Sequence, residues 1–345
     1  MTRRARIGAA LMAGAVLLPS GTAQAETLRE AIAMAYATNP TLAEARARQE
    51  ALEERPEQAR AQGRPTLSAS ANGGYDDLGY GNAGSADLRA AMPIWTGGRV
   101  SSSVRAASYD VAAGEQGLRD SEAAMLERVV AAYADLLFAQ EAVEVARIGI
   151  GRLDRQVDEA QFRFDTGEAT RTDVAQLEAQ RSSVVANLAD AEAALASARA
   201  GYRAVVGEEP EELAADVPPP ALLPADLTSA RSSAEEANPR LLERLRIADA
   251  SEARVDRARA EGAPSVDLAG AYGRGLRESG GDFRGYDSAA SVGVTLRIPL
   301  LTGGLVAAQV REAEASARAD DYAVLAEARE TIRSVDTAWA ALEAA

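Results

Sequence analysis

The sequence predicts a mostly helical chain with four β-strands, organised as a duplicated helix–strand–strand–helix unit. Two observations predict this fold class. The phrase MPIWTGGRV from Met92 returns as IPLLTGGLV from Ile298, at an offset of 206 residues, and Asn39-Pro40 upstream matches Asn238-Pro239. Each copy of the phrase ends an alternating, strand-like run and opens a long, alanine-rich, helix-like stretch. A repeat at a fixed offset indicates a repeated structural unit.

The N-terminal residues 1–25 predict a signal peptide. Arg3, Arg4 and Arg6 form a basic start, Ile7 to Leu18 form a short apolar run, and Ala23-Gln24-Ala25 is a small-x-small cleavage motif. A membrane helix needs about 20 apolar residues, and this run is shorter. We therefore expect an exported protein.

Composition excludes several classes of function. The chain has no cysteine and no histidine, which removes disulfides, thiolate metal sites and the commonest general base. Its net charge of −15 argues against nucleic acid as a partner. Carboxylate pairs such as Asp76-Asp77 and Glu235-Glu236 are read as solvated surface rather than as acid–base catalysts. We expect no enzyme activity, cofactor or metal.

The longest predicted element is one helix from Arg99 to about Phe164, within a stretch that contains no proline. Such a helix would be about 100 Å long. Apolar residues recur every seven positions from Val129 to Phe164, which indicates lengthwise packing against other helices. The second position of this seam turns polar from Gln140 onward. A rod-like dimeric coiled coil and a helix in the wall of a water-filled tube both fit this pattern.

A break at Arg163 to Val174 predicts a turn between two antiparallel helices. Gly167 can end the first helix in the left-handed conformation, and Thr170 or Thr172 can cap the second. A new apolar seam then runs from Val174 to Tyr202. We therefore expect a helical hairpin over residues 99–206.

The chain divides at a proline-rich linker, VPPPALLP, from Val217 to Pro224. The predicted organisation is a signal peptide (1–25), a first repeat (26–207), the linker (208–226) and a second repeat (227–345). The first repeat contains a helix, two strands and the hairpin. The second contains a helix, two strands and one long helix.

Four strands are predicted: Thr66 to Tyr75, Leu88 to Ile94, Val266 to Tyr272 and Val292 to Ile298. The second and fourth alternate apolar and polar residues most clearly. This pattern is typical of a membrane-spanning barrel with a wet lumen, and equally of a half-buried antiparallel sheet. Polar, glycine-rich loops are expected at Gly73–Ser85 and Gly273–Asp287.

The combination of motifs resembles the TolC-like outer-membrane channel proteins of type I secretion and drug efflux. The markers are the signal peptide, LREAIAMAYATNPTLAEARA from Leu28, RPTLSAS from Arg64, the two TGG phrases and RFDTGEATRTDVAQLEAQ from Arg163. The resemblance implies a homotrimer in which each protomer gives four strands to a shared 12-stranded barrel in the outer-membrane lipid. It also implies that the helices form a tube through the periplasm. The ATNPTL start and the GEATRTDV tip are most similar to the type I protein-secretion branch.

The resemblance further implies a passive duct that docks on a periplasmic adaptor, which is fed by an inner-membrane transporter. The implied adaptor-facing tip comprises Phe164, Asp165, Thr166, Gly167, Glu168, Thr170, Arg171, Thr172 and Asp173. The implied strand–helix junctions comprise Pro93, Thr96, Gly97 and Gly98, and Pro299, Thr302, Gly303 and Gly304.

The sequence departs from this pattern in its second repeat. The offset places a second tip at about position 370, beyond Ala345, so we expect the second repeat to be incomplete. An alternative function is a periplasmic coiled-coil adaptor or structural protein that docks on such a channel.

Overall fold

The structure is a computed structural model that describes residues 25–76, 81–210, 212–215, 223–279, 282–285 and 288–344. The predicted signal peptide, except Ala25, lies outside the described residues. So do Asp77 and most of the proline-rich part of the linker.

The described residues are mostly helical with a smaller number of strands, as the sequence predicts. The helices are α1 (Leu28–Thr38), α2 (Pro40–Glu53), α3 (Arg55–Ala61), α4 (Arg99–Asp165), α5 (Arg171–Val206), α6 (Leu227–Ala237), α7 (Pro239–Ala260) and α8 (Leu305–Ala344). The strands are β1 (Thr66–Asp76), β2 (Gly81–Trp95), β3 (Ser265–Ser279), β4 (Asp282–Gly285) and β5 (Ala289–Arg297). None of the described helices is both long enough and apolar enough to cross a membrane.

The helical region before each strand pair is divided, where the sequence predicted a single helix. Asn39 caps α2 by accepting hydrogen bonds from the backbone N–H groups of Thr41 and Leu42, and Asn238 caps α7 in the same way. A proline follows each asparagine as the first helical residue, where its missing N–H costs nothing. The Asn-Pro pair therefore starts a new helix in each half of the chain.

The long helix α4 spans 67 residues, which confirms the prediction of one uninterrupted helix. Its predicted seam is buried at Val129, Leu136 and Val143. Further along, Ile150 and Val157 are half-buried and Phe164 is exposed. Leu153 and Ala160 nevertheless stay buried, so toward the C-terminal end of α4 the buried seam moves to the heptad position that they share with Ala139.

The hairpin of α4 and α5 is antiparallel, as predicted. Arg181 forms an ion pair with Asp154, and Arg147 forms one with Glu192 at 3.5 Å. The residue numbers on α5 therefore increase as those of their partners on α4 decrease, as in an antiparallel pair. Between Val174 and Tyr202, the predicted seam positions are the least exposed residues of α5, whereas Arg181 is exposed.

Contacts divide the chain into two compact units, one of Met1–Ala35 with Val129–Pro218 and one of Tyr36–Arg128 with Pro219–Ala345. These units do not follow the two predicted repeats, because the two parts of α4 belong to different units. The sheet, β1 to β5, lies in the second unit.

In the first unit, two buried tyrosines hold the segment that follows the predicted cleavage site. The Tyr133 hydroxyl shares its one hydrogen between the carbonyl oxygens of Glu26 and Ala214, at 2.9 and 2.7 Å. The Tyr202 hydroxyl donates to the Glu26 carboxylate at 2.7 Å. Burial raises the pKa of Tyr202, and the Glu26 hydrogen bond raises it further. Burial also raises the pKa of Tyr133, so both hydroxyls stay protonated as donors and hold the chain at Glu26.

The sheet of the second unit is antiparallel, in the order β1–β2–β3, with β4 and β5 following one another along the free side of β3. The predicted loops at Gly73–Ser85 and Gly273–Asp287 are wrong over most of their length. Asp76 still pairs with Gly81, and Ser279 with Asp282. The strands continue because the ladder needs only backbone N–H and C=O groups, which polar and glycine residues also supply.

The register places the apolar residues of all four predicted strands on one face. Leu88 lies opposite Ala69 on β1 and Tyr272 on β3, and Leu268 lies opposite Val294 on β5. The other face carries small and polar residues. We call these the apolar face and the polar face of the sheet.

Candidate functional site: the helical tip and the strand–helix junctions

The tip between α4 and α5 begins with a helix-ending motif centred on Gly167. This glycine has a φ of 80°, in the left-handed region that favours glycine. The Glu168 N–H donates to the Arg163 carbonyl at 2.7 Å, and the Gly167 N–H donates to the Phe164 carbonyl at 3.0 Å. These two bonds form a Schellman motif, which satisfies carbonyls that the end of a helix leaves free.

The next helix starts with a capping box. The Thr170 hydroxyl accepts from the Asp173 N–H at 3.3 Å. The Asp173 carboxylate accepts from the Thr170 N–H and from the Thr170 hydroxyl, both at 2.8 Å. The Thr170 backbone N–H, followed by its hydroxyl, lowers the pKa of Asp173. Thr170, not Thr172, is therefore the cap, and Asp173 is bound in the first turn of α5.

The structure brings all the predicted tip residues together at this turn. Phe164 and Asp165 end α4, Thr166 to Glu168 form the turn, and Thr170 to Asp173 start α5. Most are exposed, and Val174 behind them is buried. Phe162, which sequence reasoning did not include, is 68% exposed beside them. Its aromatic character next to the break at Gly167 is the signal that could have identified it.

The two strand–helix junctions share one backbone conformation. Gly97 and Gly98 have φ values of 61° and 92°, and Gly303 and Gly304 have values of 59° and 83°. At each junction the threonine carbonyl accepts from the first helical N–H, Thr96 from Arg99 at 3.1 Å and Thr302 from Leu305 at 3.0 Å. Two successive left-handed residues need glycine, which explains the TGG phrase.

The surroundings of the two junctions differ. A Cβ added at Gly97 would clash with the Ala263 side chain and lie 2.9 Å from the Pro264 carbonyl oxygen. A Cβ added at Gly303 would meet no described atom within 4 Å. The first junction is therefore packed within the chain, and the second faces open space. Pro93 lies within β2, and Pro299 follows the end of β5.

Ion pairs near the first junction were not predicted from the sequence. Arg105 on α4 pairs with Asp256 on α7, and Arg254 on α7 pairs with Asp110 on α4 at 2.6 Å. The sequence distances are too long for a local pattern to reveal them. An alignment of the two halves repeats the charges of Arg105 and Asp256 at Arg311 and Glu57, which could have directed attention to that pair, whereas Ser316 aligns with Asp110 and leaves no such signal for the second pair.

The apolar face of the sheet is largely exposed, for example at Val292 (84%) and Leu296 (59%). Arg274, which lies opposite Ala86, is the one charged residue on this face among those whose side chains the structure describes. A register shift between Pro93 and Trp95 places Trp95 opposite Val266, at the junction end of the sheet. A broad exposed apolar surface of this kind marks a site of contact with another protein surface or with lipid.

No cluster of metal-binding side chains occurs among the residues that the structure describes. The arrangement of the tip, the junctions and the sheet offers surfaces for packing rather than a set of convergent reactive groups.

Comparisons with known proteins agree on one family. A family model described as outer membrane efflux protein matches residues 31–208 and 230–345. The outer membrane efflux protein BepC of Brucella suis is 31% identical over 98% of this chain and 75% of its own length. The alkaline protease secretion protein AprF of Pseudomonas aeruginosa is 28% identical over 64% of this chain, which spans 47% of it. The solved structure of CusC has a TM-score of 0.77 at 17% identity, covering 92% of this chain and 76% of its own, which is a likeness of fold.

Proposed function

Since the chain belongs to the outer membrane efflux protein family, we propose that it forms the trimeric exit duct of a tripartite efflux or type I secretion system. Family membership makes it a transport protein of the outer membrane and not an enzyme. In the proposed mechanism, cargo passes through a water-filled duct, and an inner-membrane transporter supplies the energy.

The observation that carries this proposal is the sheet. One face is apolar and exposed, the other is polar, and β1 and β5 each have one side without a partner strand among the described residues. The unpaired backbone groups of an open strand edge favour pairing with another strand, and a large apolar surface is unfavourable when it is exposed to water. Closing the sheet with strands from other copies removes the edges, and turning the apolar face to lipid removes the exposed apolar surface. Because β4 and β5 follow one another in one strand position, each copy would supply four strand positions, and three copies would give a 12-stranded barrel.

The long helices fit the part of the duct that would cross the periplasm. The hairpin of α4 and α5 buries only one seam, and large side chains such as Phe138 and Val145 on α4 remain exposed. Neighbouring helices from other copies would cover them. In this assembly the duct would continue from the junctions, where each strand pair passes into a helix.

We assign adaptor docking to the tip at Phe164–Asp173, together with Phe162. Its backbone groups are satisfied internally by the Schellman motif and the capping box. The exposed side chains are therefore presented on a fixed frame, as a preorganised docking surface requires.

The two halves of the chain are proposed to be copies of one unit, with the boundaries at 26–207 and 227–345. The shared Asn-Pro caps and the shared junction conformation support this organisation. The helical units that follow each junction would then be equivalent in the assembled duct.

Electrophoresis and bilayer recordings test the duct. The full chain, extracted from outer membranes without boiling, should migrate as a trimer that heating converts to monomer. The unheated trimer should conduct ions in a planar lipid bilayer. A periplasmic adaptor would instead appear in the soluble fraction as a species whose migration does not depend on heating, and it would give no conductance. That result would overturn the proposed duct.

A further inference from the structure

We propose a residue-by-residue register for the contact between two copies of the chain, in which β5 pairs with the second copy's β1 and the second junction receives the second copy's α3–β1 corner. This inference rests on the proposed duplicated, trimeric duct and assigns the contacts that such a duct leaves open.

The two halves of the chain have equivalent internal packing. Between β1 and β2, Thr66 lies opposite Ala91, and between β3 and β5, Ser265 lies opposite Arg297. The Gly-x-Pro phrases align the first strands of the two halves, and the TGG phrases align the second strands. In this alignment Thr66 corresponds to Ser265 and Ala91 to Arg297, so the strands of both halves pair in the same register. A Cβ at Gly63 would lie 3.4 Å from Val100, and one at the aligned Gly262 would lie 3.3 Å from the aligned Val306. The strand register and the contact of the Gly-x-Pro corner with the following helix are therefore the same in both halves.

The contact between the halves within one chain supplies the template. Strand β2 of the first half pairs with β3 of the second, with Met92 opposite Leu268. The aligned positions are Ile298, just after β5, and Ala69 on β1. If the contact repeats between copies, Ile298 lies opposite the second copy's Ala69.

This register can be checked against the two faces of the sheet. It places Leu296 opposite the second copy's Ala71 on the apolar face. It places Thr295 opposite the second copy's Asn72 on the polar face. A slip of one residue would bring apolar and polar side chains to the same face. The proposed register thus continues both faces across the boundary between copies.

The open second junction fits the same contact. Gly97 packs against Ala263-Pro264 within the chain. In the alignment of the two halves, Gly303 corresponds to Gly97, and Arg64-Pro65 corresponds to Ala263-Pro264. The corresponding space beside Gly303 has no described atom within 4 Å of a Cβ position. The second copy's Arg64-Pro65 would occupy that space.

Charge complementarity supports the contact independently of the strands. The ion pair of Arg105 with Asp256 aligns with Arg311 and Glu57, so both charges keep their sign, whereas that of Arg254 with Asp110 aligns with Arg55 and Ser316 and is not repeated. Arg311 forms no ion pair with the described residues of its own chain. We assign its partner as the second copy's Glu57, which already accepts from Arg60 and Arg64 of its own chain.

Disulfide trapping tests the register, and the absence of natural cysteines makes the chain suitable. The double variant Thr295→Cys with Asn72→Cys should give a covalent trimer on oxidation, because directly opposite residues lie within the range of about 4.4–6.8 Å that a disulfide needs. Within one chain, β5 and β1 are three strand spacings apart, about 14 Å across the sheet, so these positions cannot link internally. The matched control is Thr295→Cys with Ser68→Cys, on the same face but about 13 Å out of register.

The full chain is extracted from outer membranes, and unheated migration is recorded before oxidation. Heated, nonreducing gels should then show mainly covalent trimer for the Asn72 pair and mainly monomer for the Ser68 pair. A heat-sensitive trimer that links through Ser68, or through neither pair, would overturn the register and leave the duct intact. Absence of the trimer before oxidation, with the unaltered chain also monomeric, would overturn both.

Discussion

At the scale of single residues, Glu243 on α7 is a carboxylate placed against a helix backbone. A Cβ at Gly117 of α4 would lie 3.3 Å from its Oε1 atom, so the glycine makes room for the carboxyl group. Burial raises the pKa of Glu243, and the nearby carboxylates of Asp120 and Glu327 raise it further. The guanidinium groups of Arg244 and Arg240 oppose this shift without reversing it.

The sign of the shift gives a testable effect on stability. The pKa of Glu243 in the folded chain lies above the ordinary value of 4.5. The folded chain therefore loses stability as the pH rises from 4.5 through the raised pKa, because the buried carboxyl group must then ionise. Glu243→Gln should therefore raise the melting temperature at neutral pH, and the gain should shrink as the pH falls to about 4. Glu252→Gln, at an exposed position on the same helix, is the control. An equal gain for both variants, or a gain that grows in acid, would contradict the assignment.

Residue patterns predicted the tip better than the contacts between helices. The glycine and threonine of TGEAT act on their own backbone within a few residues, so the turn and its cap can be read locally. Glu243 and the Arg254–Asp110 pair depend on which helices become neighbours. No spacing along the chain encodes that choice.

At the scale of elements, the capping box at the start of α5 is expected to support the docking surface of the tip. Thr170→Ala removes one half of the capping box and should cost about 1 kcal/mol locally. Because hydrogen bonds from Thr170 lower the pKa of Asp173, the box is intact at neutral pH and is lost only as the pH falls through that lowered value. The first turn of α5 should exchange its amide hydrogens faster in the variant, and binding of the tip to its adaptor should weaken while the trimer persists.

The matched control for the tip is Ser182→Ala in the middle of α5. The Ser182 hydroxyl donates to the Glu178 carbonyl at 2.8 Å, a bond that adds little to a helix whose backbone is already paired. Its loss should leave exchange at the tip and adaptor binding unchanged. Equal weakening by both substitutions would mean that the capping box does not support the docking surface.

Strand lengths show where element prediction from sequence fails. The segments near Gly73 and Gly273 are polar and flexible in composition, and they predicted loops. Their backbones nevertheless continue the ladders to Asp76 and Ser279, because pairing that begins beside a long strand is extended by main-chain groups alone. Side-chain alternation marks only the part of each strand where the two faces differ most.

At the scale of the whole molecule, the two faces of the sheet decide where the chain can reside. The apolar face is bounded by Trp95 at the junction end and by Tyr272 and Arg274 toward the other end. Aromatic and charged residues at the limits of an apolar band are typical of strands that meet lipid, with the polar face toward water. Ala90 lies between these limits on the apolar face, and its neighbour Ala91 lies on the polar face.

These adjacent alanines allow one substitution to be compared on both faces. Ala90→Arg would place a charge in the middle of the band, which costs about 2–4 kcal/mol for a lipid-facing position. Ala91→Arg adds the same side chain to the surface proposed to line the water-filled lumen. We expect Ala90→Arg to lower the amount of heat-sensitive trimer in outer membranes severalfold and Ala91→Arg to leave it near the level of the unaltered chain. Loss of the trimer with Ala91→Arg alone would reverse the orientation of the sheet, and equal tolerance of both would remove lipid contact from the proposed assembly.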